Sequence, residues 1–150
     1  GTGSGQRSVT GLDKKAGAAG YWVVYAPVSS PLTSADPTPQ RGDKVPCGAV
    51  VRLQHPESTT FLHSHRFQSP ISNQQEVSAF DGQDEGDNWV IECAQGTQYW
   101  SREKRVALRH QVTNYYLAAD SQYKYNSPIP GQLEIFGQPR SNDNSQWMAQ

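Results

Sequence analysis

The chain repeats one short pattern three times, and this repetition restricts its fold more than any other feature. Residues 5–9, 73–77 and 131–135 align, each opening with Gly-Gln or Asn-Gln and ending in a branched apolar residue. A polar stretch and then a tryptophan follow, 13, 12 and 12 residues after the branched residue. These tryptophans are Trp22, Trp89 and Trp147. Recurrence at fixed spacing predicts that all three lie in the core, whereas Trp100 falls outside the pattern and is predicted to be the freer aromatic.

A second pattern occurs twice. Residues 51–55 are followed by Phe-Leu-His at 61–63, and residues 106–110 are followed by Tyr-Leu-Ala at 116–118. Apolar residues alternate with polar ones in these segments, which is typical of half-buried strands. The chain has 13 glycines and 10 prolines, in agreement with frequent turns between short elements. Each complete repeat is therefore predicted to contain four short strands.

Three units of this size, none able to bury its own apolar face, indicate a closed threefold β structure, and a β-trefoil fits that description. One all-β domain over residues 1–150 is expected. Its first repeat would occupy 1–40, its second about 41–97 and its third about 98–150. The first repeat lacks its N-terminal strands, so roughly 35 further residues are expected before it. Residues 27–44, rich in proline, are predicted to form an exposed connection within the domain.

Charge and motif content exclude several classes of function. The formal net charge is -1 with both signs interspersed, which argues against a nucleic-acid surface. No apolar run is long enough to insert into a membrane. The sequence contains no Gly-x-Ser-x-Gly or His-Glu-x-x-His motif and no phosphate-binding glycine loop, so neither a catalytic residue nor a cofactor is predicted. The acidic residues 81–87 match no EF-hand spacing and are predicted to form a solvated turn rather than a calcium site.

Several strings resemble the MIR repeats of the stromal cell-derived factor 2 family, and the resemblance covers essentially the whole chain. They are Gly-Ser-Gly-Gln-Arg-Ser-Val-Thr-Gly at 3–11, Leu-His-Ser-His at 62–65, Ser-Pro-Ile-Ser-Asn-Gln-Gln-Glu-Val-Ser at 69–78 and Ser-Pro-Ile at 127–129. The resemblance implies a β-trefoil of three MIR repeats and residence in the endoplasmic reticulum lumen. It also implies work in protein quality control beside lumenal chaperones and unfolded or O-mannosylated clients, with no catalytic activity.

The two cysteines are predicted to approach each other. Cys47 is expected at the start of the first strand of repeat two, and Cys93 at the end of its last strand. A closed fold can bring these strands side by side, and a disulfide there would contribute about 4 kcal/mol in an oxidising compartment. Two buried free thiols are the alternative, and a redox or metal role has little support because neither cysteine has the neighbours of a reactive thiolate.

His63 and His65 are two residues apart, so both side chains leave the same face of a strand. They are candidates for a hydrogen-bonded structural pair or for contact with a ligand or partner, and Arg66 extends the same face. A zinc site needs a third and usually a fourth ligand, whereas His55 and His110 lie at equivalent strand ends without a carboxylate motif. No metal site is therefore predicted. Residues 117–120 read Leu-Ala-Ala-Asp where repeat two has Leu-His-Ser-His, so the histidine pair is not threefold.

Gln6, Gln74 and Gln132 recur at one position and are expected to pair with loop backbone. An alternative function is a lectin-like module for mannose or another glycan, because amide and carboxylate groups bind sugar hydroxyls and aromatic rings stack on sugar faces. The tyrosines of repeat three supply such rings. The predicted contact residues beyond the histidine face are Gln74, Glu76, Tyr116, Tyr123 and Tyr125.

Overall fold

The computed structural model describes residues 3–12, 17–28 and 42–150. Within these ranges the chain forms strands and short 3-10 helices and no α-helix. The strands are β1 (Arg7–Ser8), β2 (Thr10–Gly11), β3 (Val23–Tyr25), β4 (Val50–His55), β5 (Thr60–Gln68), β6 (Gln75–Phe80), β7 (Trp89–Cys93), β8 (Arg105–His110), β9 (Tyr116–Lys124), β10 (Leu133–Gln138) and β11 (Trp147–Met148). The 3-10 helices are Gly17–Gly20, Glu85–Asp87 and Asp143–Ser145. Most of the predicted connection at 27–44 lies outside the described residues.

The longer strands close on themselves. Antiparallel pairing runs from β6 through β5, β4, β7, β8 and β9 to β10, and β10 pairs again with β6. The closing register places Phe136 opposite Glu76. The remaining strands attach to this ring: β1 to β6, β2 to β10, β3 to β4 and β11 to β8. Closure gives each ring strand a partner on both sides, which satisfies backbone groups that an open sheet leaves at its edges.

Strand order follows the sequence repeat. Repeat two supplies β4 to β7 and repeat three supplies β8 to β11, four strands each. The described part of repeat one supplies β3 and the interrupted pair β1 and β2, which occupy the sequence position of β6 and β10. The all-β class predicted from the sequence is thus confirmed.

The core is built from the recurring apolar positions. Trp89 is fully buried, and Trp22 and Trp147 pack against the same cluster from its periphery. Trp100 also packs against the cluster, and its buried indole N–H has no hydrogen-bond partner among the described residues, so the prediction of a freer aromatic was wrong. The central residues are Val51, Leu53, Leu62, Val77, Trp89, Ile91, Val106, Leu108, Leu117 and Ile135.

Two of the three recurring tryptophans, Trp89 and Trp147, both pack against the core and donate a hydrogen bond. The indole N–H of Trp89 donates to the carbonyl of Leu62 at 3.0 Å, and that of Trp147 donates to the carbonyl of Leu117 at 2.8 Å. The two acceptors are equivalent residues of β5 and β9. A buried indole that lost this bond would keep an unsatisfied donor, so packing and hydrogen bonding select tryptophan together.

Cys47 and Cys93 form a disulfide with their Cα atoms 5.7 Å apart. Cys93 ends β7, as predicted. Cys47, however, lies in the turn before β4 rather than at the start of a strand, and its N–H donates to the carbonyl of Gln98. Of the alternatives that the sequence left open, the structure contains the disulfide.

A serine-to-glutamate contact joins successive repeats. Ser4 donates its backbone N–H to Glu76 at 3.2 Å and its hydroxyl to the same carboxylate. Ser72 repeats this at the next junction, donating its N–H to Glu134 at 3.0 Å and its hydroxyl at 2.6 Å. Both glutamates are 1% exposed, so the contact replaces water around two buried carboxylates.

The recurring glutamines also join repeats, through side-chain hydroxyls rather than through loop backbone alone. The side-chain oxygen of Gln6 accepts from the hydroxyl of Ser78, and that of Gln132 accepts from the hydroxyl of Thr10. The residue at the corresponding position opposite Gln74 is Phe136, which has no hydroxyl to offer. Side-chain hydroxyls of the neighbouring repeat, which lie far away in sequence, are therefore partners of Gln6 and Gln132.

Candidate binding groove

An open groove of about 610 Å³ lies on repeat two. Its walls are residues 63–66 of β5, residues 84–86 at the turn before β7, and the loop after β8 at 112–113, with Gln6 and His110 completing it. It thus combines segments from all three repeats. Three of the predicted contact residues, His63, His65 and Arg66, line this groove together.

His63 is held by a buried carboxylate. Its Nδ1 lies 2.8 Å from Oδ1 of Asp87, and the two residues are 4% and 0% exposed. A carboxylate only accepts, so Nδ1 carries the proton and Nε2 is left as the acceptor of the neutral ring. The imidazole orientation is therefore fixed by a residue that the sequence reasoning did not select.

His65 is held in the same way by a second carboxylate. Its Nε2 lies 2.9 Å from Oε1 of Glu76, which leaves Nδ1 as the acceptor of the neutral ring. Burial alone would raise the pKa of Glu76, but hydrogen bonds from Ser4 and His65 outweigh it and lower that pKa. The rings of His65 and His63 meet edge to face with centroids 5.1 Å apart, so the two histidines do share one face.

The turn that carries Asp87 is built by its own capping bonds. Asp84 accepts from the N–H of Gly86 at 2.8 Å, and Oδ2 of Asp87 accepts from the N–H of Asp84 at 3.2 Å. This reciprocal capping starts the 3-10 helix at Glu85–Asp87 and turns Asp87 inward. Residues 81–87 are therefore not the wholly solvated turn that the sequence predicted, because Asp87 is fully buried.

Gly86 allows this turn to approach β5. A Cβ atom at this position would lie 2.4 Å from Cε1 of His63 and 2.8 Å from the carbonyl oxygen of Ser64. Neither contact is sterically possible, so any side chain would push the turn away from the strand. The His63–Asp87 bond depends on this close approach.

His63, Asp84 and Asp87 also place ligand atoms within 4.8 Å of one another, a spacing that a metal ion could use. Those atoms already have partners. Oδ1 of Asp84 caps Gly86, while the two oxygens of Asp87 accept from His63 and from Asp84. The cluster therefore has a complete explanation as a histidine–aspartate hydrogen bond beside a helix cap.

His110 lines the groove as a buried residue. Its Nε2 donates to the carbonyl of Gly86 at 2.8 Å, and its Nδ1 lies 2.7 Å from the hydroxyl of Thr113. Burial lowers the pKa of His110 to about 4, so the ring is neutral at physiological pH. His55 makes the equivalent contacts with Ser58 and Ala19, and β4 and β8 end at these two histidines as predicted.

Exposed apolar side chains lie in the groove and beside it. Phe67 is 53% exposed and Val112 is 49% exposed. The ring of Phe67 contacts that of His65 with centroids 4.7 Å apart. Arg66 lies between these aromatic residues in sequence and is exposed. A ligand in the groove would therefore meet both polar groups and apolar surface.

The remaining predicted contact residues do not line the groove. Glu76 lies directly behind it, and its carboxylate is occupied by Ser4 and His65. Gln74 is half-buried beyond it. Their roles as contact residues stay predictions.

The tyrosines of repeat three occupy separate structural positions. The hydroxyl of Tyr116 donates to Glu92 at 3.0 Å, and burial, aided by this carboxylate, raises the pKa of Tyr116. Tyr123 packs edge to face on Phe136. Burial also raises the pKa of Tyr125, with the Glu134 carboxylate adding to the effect. None of these three side chains lines the groove, so they provide no stacking platform there.

Fold and groove define a class of protein: a disulfide-linked all-β module with a polar, histidine-bearing groove. The chain is 40% identical over 152 residues to human stromal cell-derived factor 2-like protein 1, which covers 99% of this chain and 64% of that protein. The crystal structure of the SDF2-like protein from Arabidopsis thaliana superposes with a TM-score of 0.89 at 35% identity, covering 100% of this chain and 80% of that one. The chain belongs to the stromal cell-derived factor 2 family, as the sequence resemblance indicated.

Four further findings concern the length, the fold and the comparisons of this chain. The chain spans 64% of the length of the human relative. A protein O-mannosyltransferase in the Saccharomyces cerevisiae Pmt1-Pmt2 complex bound to the sugar donor shares the fold, with a TM-score of 0.74 at 22% identity over 98% of this chain and 22% of that chain. No protein-family model matches the chain. The described residues include no helix with the length and hydrophobicity needed to cross a bilayer.

Proposed function

We propose that this chain is a non-catalytic binding module of protein quality control in the endoplasmic reticulum lumen. It associates with lumenal chaperones and with unfolded or O-mannosylated client proteins, and the groove around His63 and His65 is the contact surface. The observation that carries this proposal is the specialisation of repeat two: two histidines, each held by a buried carboxylate, line one groove.

Repeat three supports this interpretation because it builds the same strands without the histidines. Ala118 and Asp120 stand where repeat two has His63 and His65, and Ser145 stands where it has Asp87. Ser145 still caps its 3-10 helix. The fold therefore does not require the histidine pair, and its presence in one repeat is explained better by contact with another molecule.

The hydroxyl nearest to the His63–Asp87 pair is not placed to act as a nucleophile. His63 and Asp87 resemble the base and orienting acid of a catalytic triad, and the neighbouring hydroxyl belongs to Ser64. Ser64, however, is 1% exposed, donates to the carbonyl of Glu76 at 2.7 Å and accepts from the side chain of Gln75 at 2.8 Å. A hydroxyl held in this way cannot reach a substrate, which supports a binding role.

Two further features support the proposed location and architecture. A disulfide between Cys47 and Cys93 suits an oxidising compartment of the secretory pathway. The tryptophan-to-carbonyl bonds of β7 and β11 and the serine-to-glutamate contacts recur at equivalent positions. Such recurrence supports a β-trefoil of MIR repeats over residues 1–150, with repeats divided near 40 and 97.

A lectin-like module for mannose is the second candidate. The polar side chains of the groove suit sugar hydroxyls, and Phe67 offers one exposed ring beside them. The described residues that line the groove include no tyrosine or tryptophan, however, so the tyrosines of repeat three provide no stacking surface for a sugar in it. A protein partner is therefore the better-supported occupant.

The test is an affinity capture from endoplasmic reticulum lysate with this domain as bait, run beside a glycan array. His65→Ala is the informative variant because the side chain of His65 is 20% exposed, whereas that of His63 is 5% exposed and its loss could unfold the groove. Asp120→Ala changes the equivalent position of repeat three and serves as the matched control. We expect lumenal chaperones in the captured fraction, their loss with His65→Ala, and retention with Asp120→Ala.

The other outcomes contradict the proposal. Array signal for mannose without chaperone capture would make the chain a lectin-like module. If wild type and His65→Ala capture lumenal chaperones equally, the chaperones bind at a surface other than the groove.

A further inference from the structure

The groove presents hydrogen-bond acceptors and carboxylates, and these groups indicate which kind of ligand it can bind. Nδ1 of His63 and Nε2 of His65 are already used by carboxylates, so each neutral ring can offer a ligand only an accepting nitrogen. The side chain of Asp84 is 55% exposed at the same floor, and Glu85 is exposed beside it. A ligand that donates hydrogen bonds is therefore favoured.

The charges agree with this donor requirement. Asp84 and Glu85 line the groove, and the buried carboxylates of Glu76 and Asp87 lie directly behind its two histidines. Arg66 supplies the guanidinium that lines the groove, and Arg52 interacts electrostatically with the buried Asp87. Among the described residues that line the groove, the exposed carboxylates of Asp84 and Glu85 therefore outnumber the one arginine, which favours a cationic ligand although the whole chain carries only -1.

Exposed apolar side chains complete the pattern. Lysine and arginine side chains bury an aliphatic stem while their charged end remains hydrogen-bonded. Val112 lines the groove and exposes apolar surface there, and the exposed ring of Phe67 contacts His65 next to it. A stem lying on this apolar surface would place its cationic end among the acceptors.

We propose that the groove binds arginine- or lysine-bearing extended segments of partner or client proteins, with the cationic side chain directed at Asp84, Glu85 and the accepting nitrogens of His63 and His65. The inference rests on the proposed function, whose partner class it specifies. It also accounts for two neighbouring histidines that are each held by a carboxylate: the carboxylates fix the rings so that both present acceptors.

The direct test is fluorescence anisotropy with a labelled, unstructured Gly-Ser peptide carrying several arginines. A glutamine-substituted peptide and a glutamate-substituted peptide of the same length are the ligand controls. The protein variant is Asp84→Asn with Glu85→Gln, which removes the exposed charges while asparagine remains a good helix cap. The matched protein control is Asp143→Asn, the position equivalent to Glu85 in the turn of repeat three.

We expect binding of the arginine peptide only, weakened about five- to tenfold in the double variant, since each exposed charge pair contributes up to about 1 kcal/mol. Raising the salt concentration should weaken binding, and Asp143→Asn should leave it unchanged. Equal binding of the glutamine peptide, or undiminished binding by the double variant, would overturn the inference.

The failures of the two proposals are distinguishable. If no peptide binds but chaperone capture is lost in His65→Ala, the basic-segment inference falls and the proposed function stands. If the arginine peptide binds at the groove but His65→Ala captures chaperones normally, the inference stands and the proposed partner site falls.

Discussion

His63 and Asp87, 24 residues apart in sequence, share a buried hydrogen bond of 2.8 Å that ties β5 to the turn before β7. The bond connects the floor of the groove to the cap of a 3-10 helix, since the other oxygen of Asp87 accepts from the N–H of Asp84. Ring orientation, turn conformation and groove shape therefore depend on one carboxylate.

Replacing the carboxylate of Asp87 should destabilise the fold. We expect Asp87→Ala to lower the free energy of unfolding by about 3 kcal/mol, because it leaves a buried imidazole N–H and a backbone N–H without acceptors. Urea denaturation followed by tryptophan fluorescence measures the change. Asp84→Asn keeps a capping oxygen and should change stability by less than about 0.5 kcal/mol. A mild effect of Asp87→Ala would mean that water replaces the carboxylate and that the bond does not organise the groove.

The serine-to-glutamate contact makes a second prediction. Glu134 accepts four hydrogen bonds, from the hydroxyls of Ser69 and Ser72 and from the N–H groups of Ile71 and Ser72. Glu134→Gln turns one accepting oxygen into a donor that faces donors, so we expect a loss of about 2 to 4 kcal/mol in unfolding free energy. Thermal and urea denaturation measure it.

The junction between repeats three and one lacks the serine-to-glutamate contact and provides a control for this prediction. Pro130 stands at the serine position and Ser8 at the glutamate position, and proline has no N–H to donate. Ser8 is exposed, so Ser8→Ala should be nearly neutral. A stability loss in Ser8→Ala as large as that in Glu134→Gln would contradict the role given to the contact.

Acid should destabilise the fold in a definite pH window. The pKa of His110 falls from 6.5 to about 4 on folding, so the unfolded chain takes up its proton first as the pH drops. This contribution is complete above pH 6.5 and is lost between pH 6.5 and 4, and it amounts to about 3 kcal/mol. The lowered pKa of Glu76 acts in the same direction at more acidic pH.

The measurement is the free energy of unfolding between pH 7.5 and 4, in the wild type and in His110→Gln, which cannot titrate. We expect a shallower pH dependence in the variant. Parallel curves for the two proteins would assign the acid sensitivity to other groups.

Reduction of the disulfide should destabilise the chain without altering the groove. The bond between Cys47 and Cys93 joins residues 46 positions apart, for which loop entropy predicts about 4 kcal/mol. Neither cysteine lines the groove. The paired change of Cys47 and Cys93 to Ala should therefore lower the melting temperature while peptide binding, measured well below it, persists. Loss of binding in the folded variant would show that the disulfide shapes the groove.

Much of the fold is predictable from the sequence because repetition imposes equivalent packing. Fixed spacing identified Trp89 as core, and alternation identified the strands that end at His55 and His110. The pairing of Cys47 with Cys93 also followed from their places in repeat two. Trp100 was mispredicted because it belongs to no repeat position, so only its tertiary contacts reveal its burial.

The groove was only half predictable. His63, His65 and Arg66 are neighbours on one strand, and the period of a strand places the two histidines on one face without knowledge of the rest of the chain. Asp87 and Glu76 reach those histidines through a capped turn and a neighbouring strand. The sequence around such a carboxylate does not show whether the carboxylate is buried against a histidine or exposed to solvent.

Sequence alone therefore determined the all-β class, the repeating unit and the histidine face, since these depend on local period and on spacing that every repeat shares. Tertiary structure alone decided that Asp87 is buried against His63, that the tyrosines of repeat three lie away from the groove, and that negative charge collects behind two histidines. Closure of the strand ring brings residues together across tens of positions, and hydrogen bonding in a buried environment then fixes which of them meet.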